Sequence, residues 1–171
     1  MEPLNPDKIP KGSLCVMDTN VLLCAEQGLS SQVQRLIRGC SEGQLVGILP
    51  QTVWQELTHK LMLAEALMMG AISGPNPVMR LAKHPNIVKS LYLYKEKIDA
   101  LANLGIGFEH CTRSDFFEAA PLLREKYGLL TNDSVILATA VRLGADFLVT
   151  ADNAFLSVSE LQVAMPSDTG P

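Results

Sequence analysis

Two carboxylates in this chain follow apolar runs directly. Asp18 comes after Leu14–Met17, and Asp152 follows the apolar residues 147–150. A short apolar run without alternation is typical of a strand buried on both faces of a parallel sheet. Open parallel sheets place their ligand sites at the carboxyl ends of the strands. If the two strands are neighbours, both acids lie at one edge of the sheet.

Two further acids lie on predicted helices. Glu56 borders the apolar face of a helix predicted over residues 53–69, and Asp133 opens an almost wholly apolar helix over residues 133–143. Each acid also has a simpler explanation. A turn or a helix cap accounts for the three aspartates, and an ion pair with Lys60, one turn along the helix, accounts for Glu56.

Short apolar runs alternate with amphipathic segments along the chain. Strands are predicted over residues 14–17, 45–49, 106–110, 147–150 and 162–165, and helices over 29–40, 53–69, 85–104, 115–127 and 133–143. This alternation predicts an α/β fold, a three-layer α/β/α sandwich with a mostly parallel central sheet of four to five strands. We expect an extended N-terminal arm over residues 1–12, one domain over 13–165 and a C-terminal tail over 166–171.

Local signals predict several details of these elements. Ser30 or Ser31 is expected to cap the helix over residues 29–40, and Thr52 and Ser114 are expected to cap later helices. Pro121 is expected to kink or split the helix over residues 115–127. A loop is expected over residues 70–77, which are rich in Gly and Pro.

Composition narrows the class of protein. The 171 residues are 47% apolar and 19% charged, which fits one globular domain. Four dispersed cysteines favour reduced thiols over disulfides or a zinc site. The sequence contains no apolar run long enough to cross a bilayer, and its polar start is unlike a signal peptide, so we expect a cytoplasmic protein without membrane contact. A net charge of −4 argues against strong nonspecific binding of nucleic acid, although metal bound to clustered acids reverses the sign locally.

Four segments together resemble the motifs of the PIN-domain ribonucleases. They are Asp18-Thr19-Asn20-Val21-Leu22, Glu56 on its helix, the segment from Asp133 to Ala140, and the segment from Thr150 to Phe155. Their order also matches the family, and the resemblance covers about residues 14–165. It implies a PIN-like fold and a metal-dependent endoribonuclease that hydrolyses RNA phosphodiester bonds.

The resemblance assigns catalytic roles to all four acids. Asp18 and Asp152 are expected to bind metal directly, Asp133 directly or through water, and Glu56 is expected to orient water. Carboxylates about 5 Å apart repel by roughly 3 kcal/mol per pair at an effective dielectric of about 20, so such a cluster needs cations or protons. Oxygen ligands favour Mg²⁺ or Mn²⁺, as one or two ions, and such ions activate water for attack on a phosphodiester.

Supporting and substrate-binding roles fall on other residues. The resemblance implies that Asn20 and Thr150 hydrogen-bond the carboxylates. Lys60, Arg80 and Lys83 are candidates for RNA contact, although a solvated surface charge is the favoured explanation for each of them. Aromatic residues are only 5% of the sequence, so no base-stacking platform is expected.

Competing interpretations lead to different partners. One is the toxin of a type II toxin–antitoxin pair, which implies a small antitoxin protein as partner, and a homodimer is compatible with the apolar helices. The alternative is a catalytically silent PIN-like module that binds RNA or protein, although a silent site has no reason to keep a repulsive acid cluster. A haloacid-dehalogenase-like phosphotransfer domain would need a second Asp at Asn20, and a response-regulator receiver would need a late Lys.

Overall fold

The computed structural model describes residues 2–169 and places a sheet of five strands at the centre of that part of the chain. The strands are β1 (Leu14–Met17), β2 (Val46–Pro50), β3 (Ile106–Glu109), β4 (Phe147–Val149) and β5 (Gln162–Ala164). Neighbouring strands all pair in parallel, in the order β3-β2-β1-β4-β5. The predicted α/β sandwich with a parallel sheet is confirmed. The strand order reverses between β1 and β4, which is where sheets of this kind bind ligands.

Helices cover both faces of the sheet. Those found in the described residues are α1 (Thr19–Glu26), α2 (Ser31–Ser41), α3 (Gln51–Met68), α4 (Pro77–Ala82), α5 (Pro85–Ser90), α6 (Leu93–Asn103), α7 (Ala120–Tyr127) and α8 (Thr131–Arg142). Helix α3 packs on α1 and α6, and α7 packs on α8. Right-handed crossovers in a sheet of this order place these two groups on opposite faces.

The two most apolar segments of the sequence, β1 and α8, lie in the buried core of the domain. Cys15, Val16 and Met17 of the central strand β1 are fully buried. Helix α8 buries an unbroken run of residues, 134–140, as its apolar circumference predicts. All four cysteines are free, and Cys40 is also buried. The buried part of the central strand therefore ends directly at Asp18.

Helix α1 was not predicted from the sequence. The apolar residues after Asn20 show no clear helical period, and the helix begins without any loop after β1. Asp18 is its N-cap, because Asp18 Oδ1 accepts a hydrogen bond from the Thr19 backbone N–H at 2.6 Å. The carboxylate is thereby held at the junction between strand and helix.

The prediction of a single helix over residues 85–104 is wrong. The chain forms α5 and α6 there, and α4 precedes them directly after the predicted loop. The buried carboxylate of Glu65, on α3, accepts hydrogen bonds at 2.8–3.1 Å from the backbone N–H groups at the start of α6, those of Tyr92, Leu93 and Tyr94. These N–H groups have no local side-chain cap. The break between the helices is therefore satisfied by a side chain from a distant part of the sequence.

Two of the predicted helix caps are also wrong. Helix α3 begins at Gln51, so Thr52 lies inside its first turn, and the buried Thr52 hydroxyl has no hydrogen-bond partner in the described structure. Ser114 makes no capping bond. Pro121 acts as predicted, because a π-helical turn over Asp115–Ala119 leads into α7 at this proline. The predicted cap Ser30 is confirmed, with its hydroxyl accepting from the Val33 N–H at 3.1 Å.

Both ends of the described chain lie against the domain. In the N-terminal arm the Leu4 N–H donates to the Val163 carbonyl at 2.9 Å, which extends the sheet beyond β5, and Pro6–Lys8 forms a short 3₁₀ helix. In the tail, the Asp168 carboxylate accepts hydrogen bonds at the start of α2, from the Ser30 and Ser31 hydroxyls and the Gln32 N–H. Residues 1, 170 and 171 of the predicted arm and tail lie outside the described residues.

The Glu65 contact predicts a pH-dependent contribution to stability. Burial raises the pKa of Glu65, but three backbone hydrogen bonds outweigh it and hold the pKa below the ordinary 4.5. A carboxyl group with a lowered folded-state pKa stabilises the fold above its unfolded-state pKa and loses that effect as the pH falls through the folded value. We expect Glu65→Gln to lower the free energy of unfolding by about 1–3 kcal/mol at pH 7, as measured by urea denaturation.

The difference between wild type and Glu65→Gln should shrink as the pH falls below about 4.5. Glu96→Gln, on the exposed side of α6, is the matched control and should have little effect at any pH. A Glu65→Gln effect that is the same at pH 7 and pH 3 would contradict the assigned role of the charged carboxylate.

Candidate active site

Asp18 is held at the carboxyl end of β1 by both neighbouring elements. Its side chain is 4% exposed. Oδ1 accepts from the Thr19 N–H at 2.6 Å, and Oδ2 accepts from the Thr150 hydroxyl at 2.8 Å. The Asp18 N–H donates to the Val149 carbonyl at 3.0 Å. The carboxylate is thus fixed where β1, β4 and α1 meet.

The Thr150 hydroxyl links two of the predicted acids. Thr150 is fully buried, and the oxygen that donates to Asp18 also accepts from the Asp152 N–H at 2.9 Å. Asp152 Oδ1 accepts from the Ala154 N–H at 2.8 Å and so caps a short 3₁₀ helix. Both acids therefore serve as caps, as the simpler explanation held, and both lie at the same sheet edge.

Glu56 extends from α3 towards α1 and α8. Its Oε1 pairs with Lys60 Nζ at 2.8 Å, the i,i+4 pair anticipated from the sequence. Its Oε2 accepts from the Thr19 hydroxyl at 3.2 Å and lies 3.5 Å from the Asn132 amide nitrogen. One carboxylate thereby contacts α1 and α8 as well as its own helix.

Asp133 lies in the first turn of α8 and is half-buried. The expectation that Asp133 is the N-cap is wrong, because the helix begins at Thr131 with Leu130 in the cap position. A negative charge in the first turn is favoured by the helix dipole. Asp133 therefore approaches the other acids from the face of the sheet that α8 covers.

Burial and mutual repulsion perturb the aspartates. Burial raises the pKa of Asp18 from 3.8 to about 6, against hydrogen bonds from Thr150 and Thr19, and the charges of Asp133 and Glu56 raise it further. Burial also raises the pKa of Asp133, followed by the charge of Asp152 and then that of Glu56. The four carboxylates are therefore one electrostatic group, which we call the acidic site.

Glu56 behaves differently from the aspartates. Burial acts to raise its pKa, but the hydrogen bond and the charge of Lys60, together with the Thr19 hydroxyl, outweigh burial and lower it. Glu56 is therefore ionised at neutral pH with a cation beside it. The acidic site thus contains one strongly ionised carboxylate next to a buried aspartate that ionises less readily.

The donor set of the acidic site fits a hard divalent cation, because it offers only carboxylate oxygens. The arrangement is not a preassembled cage. Within residues 2–169, no group of three or more His, Cys, Asp or Glu side chains could hold a metal ion as it stands. Both Asp18 oxygens accept protein hydrogen bonds, and Glu56 is paired with Lys60. The assignment of metal ligands therefore stays a prediction, and it requires some of these side chains to reorient.

Two candidate RNA contacts lie away from the acidic site. Arg80 is on α4, and Lys83 follows this helix. Helix α4 packs on α3 around Ala66, and ten residues of helix, about 15 Å, separate Ala66 from Glu56. Lys60, in contrast, pairs with Glu56 of the acidic site. RNA contact by any of these residues stays a prediction.

Two polar residues that were not predicted contact the acidic site. Thr19 and Asn132 both approach Glu56, and each is adjacent in sequence to a predicted acid. This adjacency is the only feature of the sequence that could have pointed to Thr19 and Asn132 as site residues. Because α1 was not predicted, the direction of the Thr19 side chain could not be inferred. Asn20 lies half-buried in the first turn of α1, and its supporting role stays a prediction.

Comparison with known families identifies the domain. The model of the PIN domain matches residues 15–161. The chain belongs to the PIN-domain family. The match runs from the second residue of β1 through β4 and ends directly before β5, and it includes every residue of the acidic site. No curated protein matches the sequence.

Three solved structures share the PIN fold with this chain. VapBC2 from Rickettsia felis, bound to a DNA fragment from its promoter, is 13% identical with a TM-score of 0.61, covering 90% of this chain and 99% of that one. A toxin–antitoxin complex from Klebsiella pneumoniae is 20% identical with a TM-score of 0.56, covering 90% and 98%. VapBC-1 from nontypeable Haemophilus influenzae is 15% identical with a TM-score of 0.53, covering 89% and 97%. These likenesses confirm the predicted PIN-like fold.

None of the helices within residues 2–169 is both long and apolar enough to span a bilayer. The cytoplasmic location stays an expectation from the sequence.

The buried charge of Asp18 predicts a cost to stability in metal-free buffer. The rise of the Asp18 pKa from 3.8 to about 6 corresponds to a destabilisation of about 3 kcal/mol once the group is ionised. Because this folded-state pKa is raised, stability should fall as the pH increases from about 4 to 6. We expect Asp18→Asn, which removes the charge, to melt at the same or a higher temperature than wild type at pH 7.5 with chelator present.

Addition of Mg²⁺ or Mn²⁺ should raise the melting temperature of the wild type and leave that of Asp18→Asn unchanged. Asp99→Asn, at an exposed site on α6, is the matched control and should respond to metal like the wild type. An equal metal response in Asp18→Asn would show that the ion binds elsewhere.

Proposed function

We propose that this protein is a metal-dependent endoribonuclease. The observation that supports the proposal most directly is the convergence of Asp18, Glu56, Asp133 and Asp152 at the carboxyl edge of the sheet in a chain of the PIN-domain family. The site lies at the reversal of strand order between β1 and β4, where open parallel sheets bind ligands. Acids that repel one another are retained there at a cost to stability, which is typical of a functional site.

The aspartates would hold the divalent ions. Asp18, Asp133 and Asp152 are the proposed ligands for one or two Mg²⁺ or Mn²⁺ ions, and Thr150 fixes the orientation of Asp18. Bound there, the metal would activate water and neutralise charge that develops on the phosphate. The raised pKa of Asp18 falls when a cation binds, so binding should release protons near neutral pH.

Glu56 and its partners would organise the nucleophile and the substrate. The low pKa of Glu56 keeps the carboxylate ready to accept a hydrogen bond from the attacking water, and the Thr19 hydroxyl holds its Oε2. Lys60 is the cation paired with this carboxylate. We propose that Lys60 moves to a backbone phosphate of the RNA when the substrate binds.

We further propose that the protein acts as a toxin held in check by a small antitoxin protein. The support is that two VapBC proteins and one toxin–antitoxin complex are among the solved structures with the same fold. A homodimer is compatible with the exposed apolar residues of the helices, such as Leu122 and Met68.

A catalytically silent module that binds RNA or protein is the second candidate. The absence of a preassembled group of three ligands within residues 2–169 favours it. Cleavage distinguishes the two candidates, since a silent module binds without cutting.

Cleavage of a mixed RNA pool tests the main proposal. We expect wild-type protein to cut RNA with Mg²⁺ or Mn²⁺ and to stop when chelator is added. Asp18→Asn should lower the rate by about 10²-fold or more, because it removes a charged ligand. Asp7→Asn, which disturbs only a surface pair with Arg35, should cut at the wild-type rate. Cutting that persists in Asp18→Asn, or no cutting by wild type with either metal, would contradict the proposal.

Toxicity has a separate test. Induced expression of the wild type in a bacterial host should arrest growth, whereas Asp18→Asn at equal abundance should not. Growth arrest by both proteins would mean that toxicity does not depend on the acidic site. Normal growth with both would count against the toxin assignment but not against the nuclease.

A further inference from the structure

Aromatic side chains meet beside the acidic site, although their low frequency in the sequence predicted no stacking platform. Trp54 of α3 and Phe108 of β3 lie edge to face, with ring centroids 6.3 Å apart and planes at 86°. Phe108 and His110 form a second edge-to-face pair at 4.9 Å and 88°. We call these three residues the aromatic corner.

The rings of the aromatic corner are open to the surface. Trp54 is 38% exposed and Phe108 is 47% exposed, and His110 is also exposed. Large aromatic side chains that gather at a surface mark a binding site more often than isolated ones do. Because the planes are perpendicular, a flat group that stacks on one ring meets the edge of the next.

A cavity of about 380 Å³ opens beside Trp54 and Phe108, within the size range of small-molecule sites. Its lining is almost wholly apolar, and the one charged side chain in it is that of Asp99. A carboxylate repels phosphate but accepts hydrogen bonds from amino and imino N–H groups. The chemistry of the cavity therefore suits an uncharged planar ring with N–H donors at its edge, which is the description of a nucleobase.

The aromatic corner lies at the same sheet edge as the acidic site. Phe108 is in register with Leu49 of β2, one residue beyond the pair of Val16 with Ile48. Phe108 is thus level with Met17, directly before Asp18. Two strand spacings, about 10 Å, separate the two backbones. Helix α3 carries Glu56 on one flank and Trp54 on the other.

We propose that the aromatic corner is a stacking subsite for an unpaired base of single-stranded RNA whose backbone passes the acidic site. The inference rests on the proposed function, and it adds the surface that would hold one base of the substrate. Stacking of a base on an aromatic ring is tolerant of sequence and does not require a strongly basic surface. It therefore suits a protein with a net charge of −4.

The sequence supplies a direct probe, because Trp54 is the only tryptophan. The experiment uses the Asp18→Asn protein without metal, so that no strand is cut. We expect an adenosine hexamer to quench Trp54 emission in a saturable manner, while a ribose-phosphate hexamer without bases leaves it unchanged. Equal quenching by both strands would overturn the proposal, because it would show a phosphate contact.

Variants of Phe108 test whether a base stacks on its ring. The measurement is the affinity for an end-labelled adenosine hexamer, determined by fluorescence anisotropy. Phe108→Ala should weaken binding by about fivefold or more, and Phe108→Leu, which keeps apolar volume but has no ring, should weaken it similarly. Phe117→Ala is the matched control, because Phe117 is 71% exposed on the π-helical turn before α7 and should not affect binding. Wild-type affinity in Phe108→Leu would overturn stacking.

The outcomes separate this proposal from the nuclease assignment. Cleavage by wild-type protein without base-dependent quenching overturns the stacking subsite alone. Base-dependent quenching without cleavage supports the subsite and contradicts only the nuclease. If emission changes with protein concentration and not with RNA, the aromatic corner is an interface between copies of the chain, and the proposal is wrong.

Discussion

The acidic site depends on a charged group that is buried where the central strand ends. The backbone of Asp18 is fixed at this position, because residues 15–17 of β1 are fully buried on one side of it and α1 begins directly on the other. Thr150 and the Thr19 N–H satisfy its two oxygens without neutralising it. Burial, rather than the other acids, is therefore the main reason that its pKa rises to about 6. A cation would offset that burial, which connects the stability of the domain to the occupancy of its site.

Helix α3 organises most of what surrounds this group. Near its start it holds Glu56 towards α1 and α8, and Trp54 towards the edge strand β3. Two and a half turns after Glu56, Glu65 satisfies the first N–H groups of α6. One helix thus positions an acid, an aromatic surface and the helix that lines the cavity beside it. The acidic site and the aromatic corner therefore share one supporting helix.

The ion pair of Glu56 with Lys60 is compatible with a catalytic role for Glu56. From the sequence alone it was a reason to doubt a catalytic role, because i,i+4 pairs are common on helix surfaces. In the structure the same pair belongs to the acidic site, and Thr19 and Asn132 reach the second oxygen of Glu56. The lysine lowers the repulsion that Glu56 would otherwise add to the aspartates. It therefore helps the four acids to coexist while no metal is bound.

The sequence by itself determined the parallel α/β architecture and the four acids, because burial on both faces removes alternation from a strand and leaves polar residues to mark its end. It also located Pro121 as a break, since the ring of proline acts locally. The tertiary structure decided the start of α6, which depends on Glu65 from another helix, and the directions of Thr19 and Asn132, which depend on α1 and α8. It likewise brought Trp54 to Phe108, which are separated by 53 residues in the sequence. A local sequence pattern indicates which face of a helix or strand is buried, but it does not indicate which distant side chain packs against that face. The features that depend on local patterns were therefore predicted, and those that depend on distant contacts were missed.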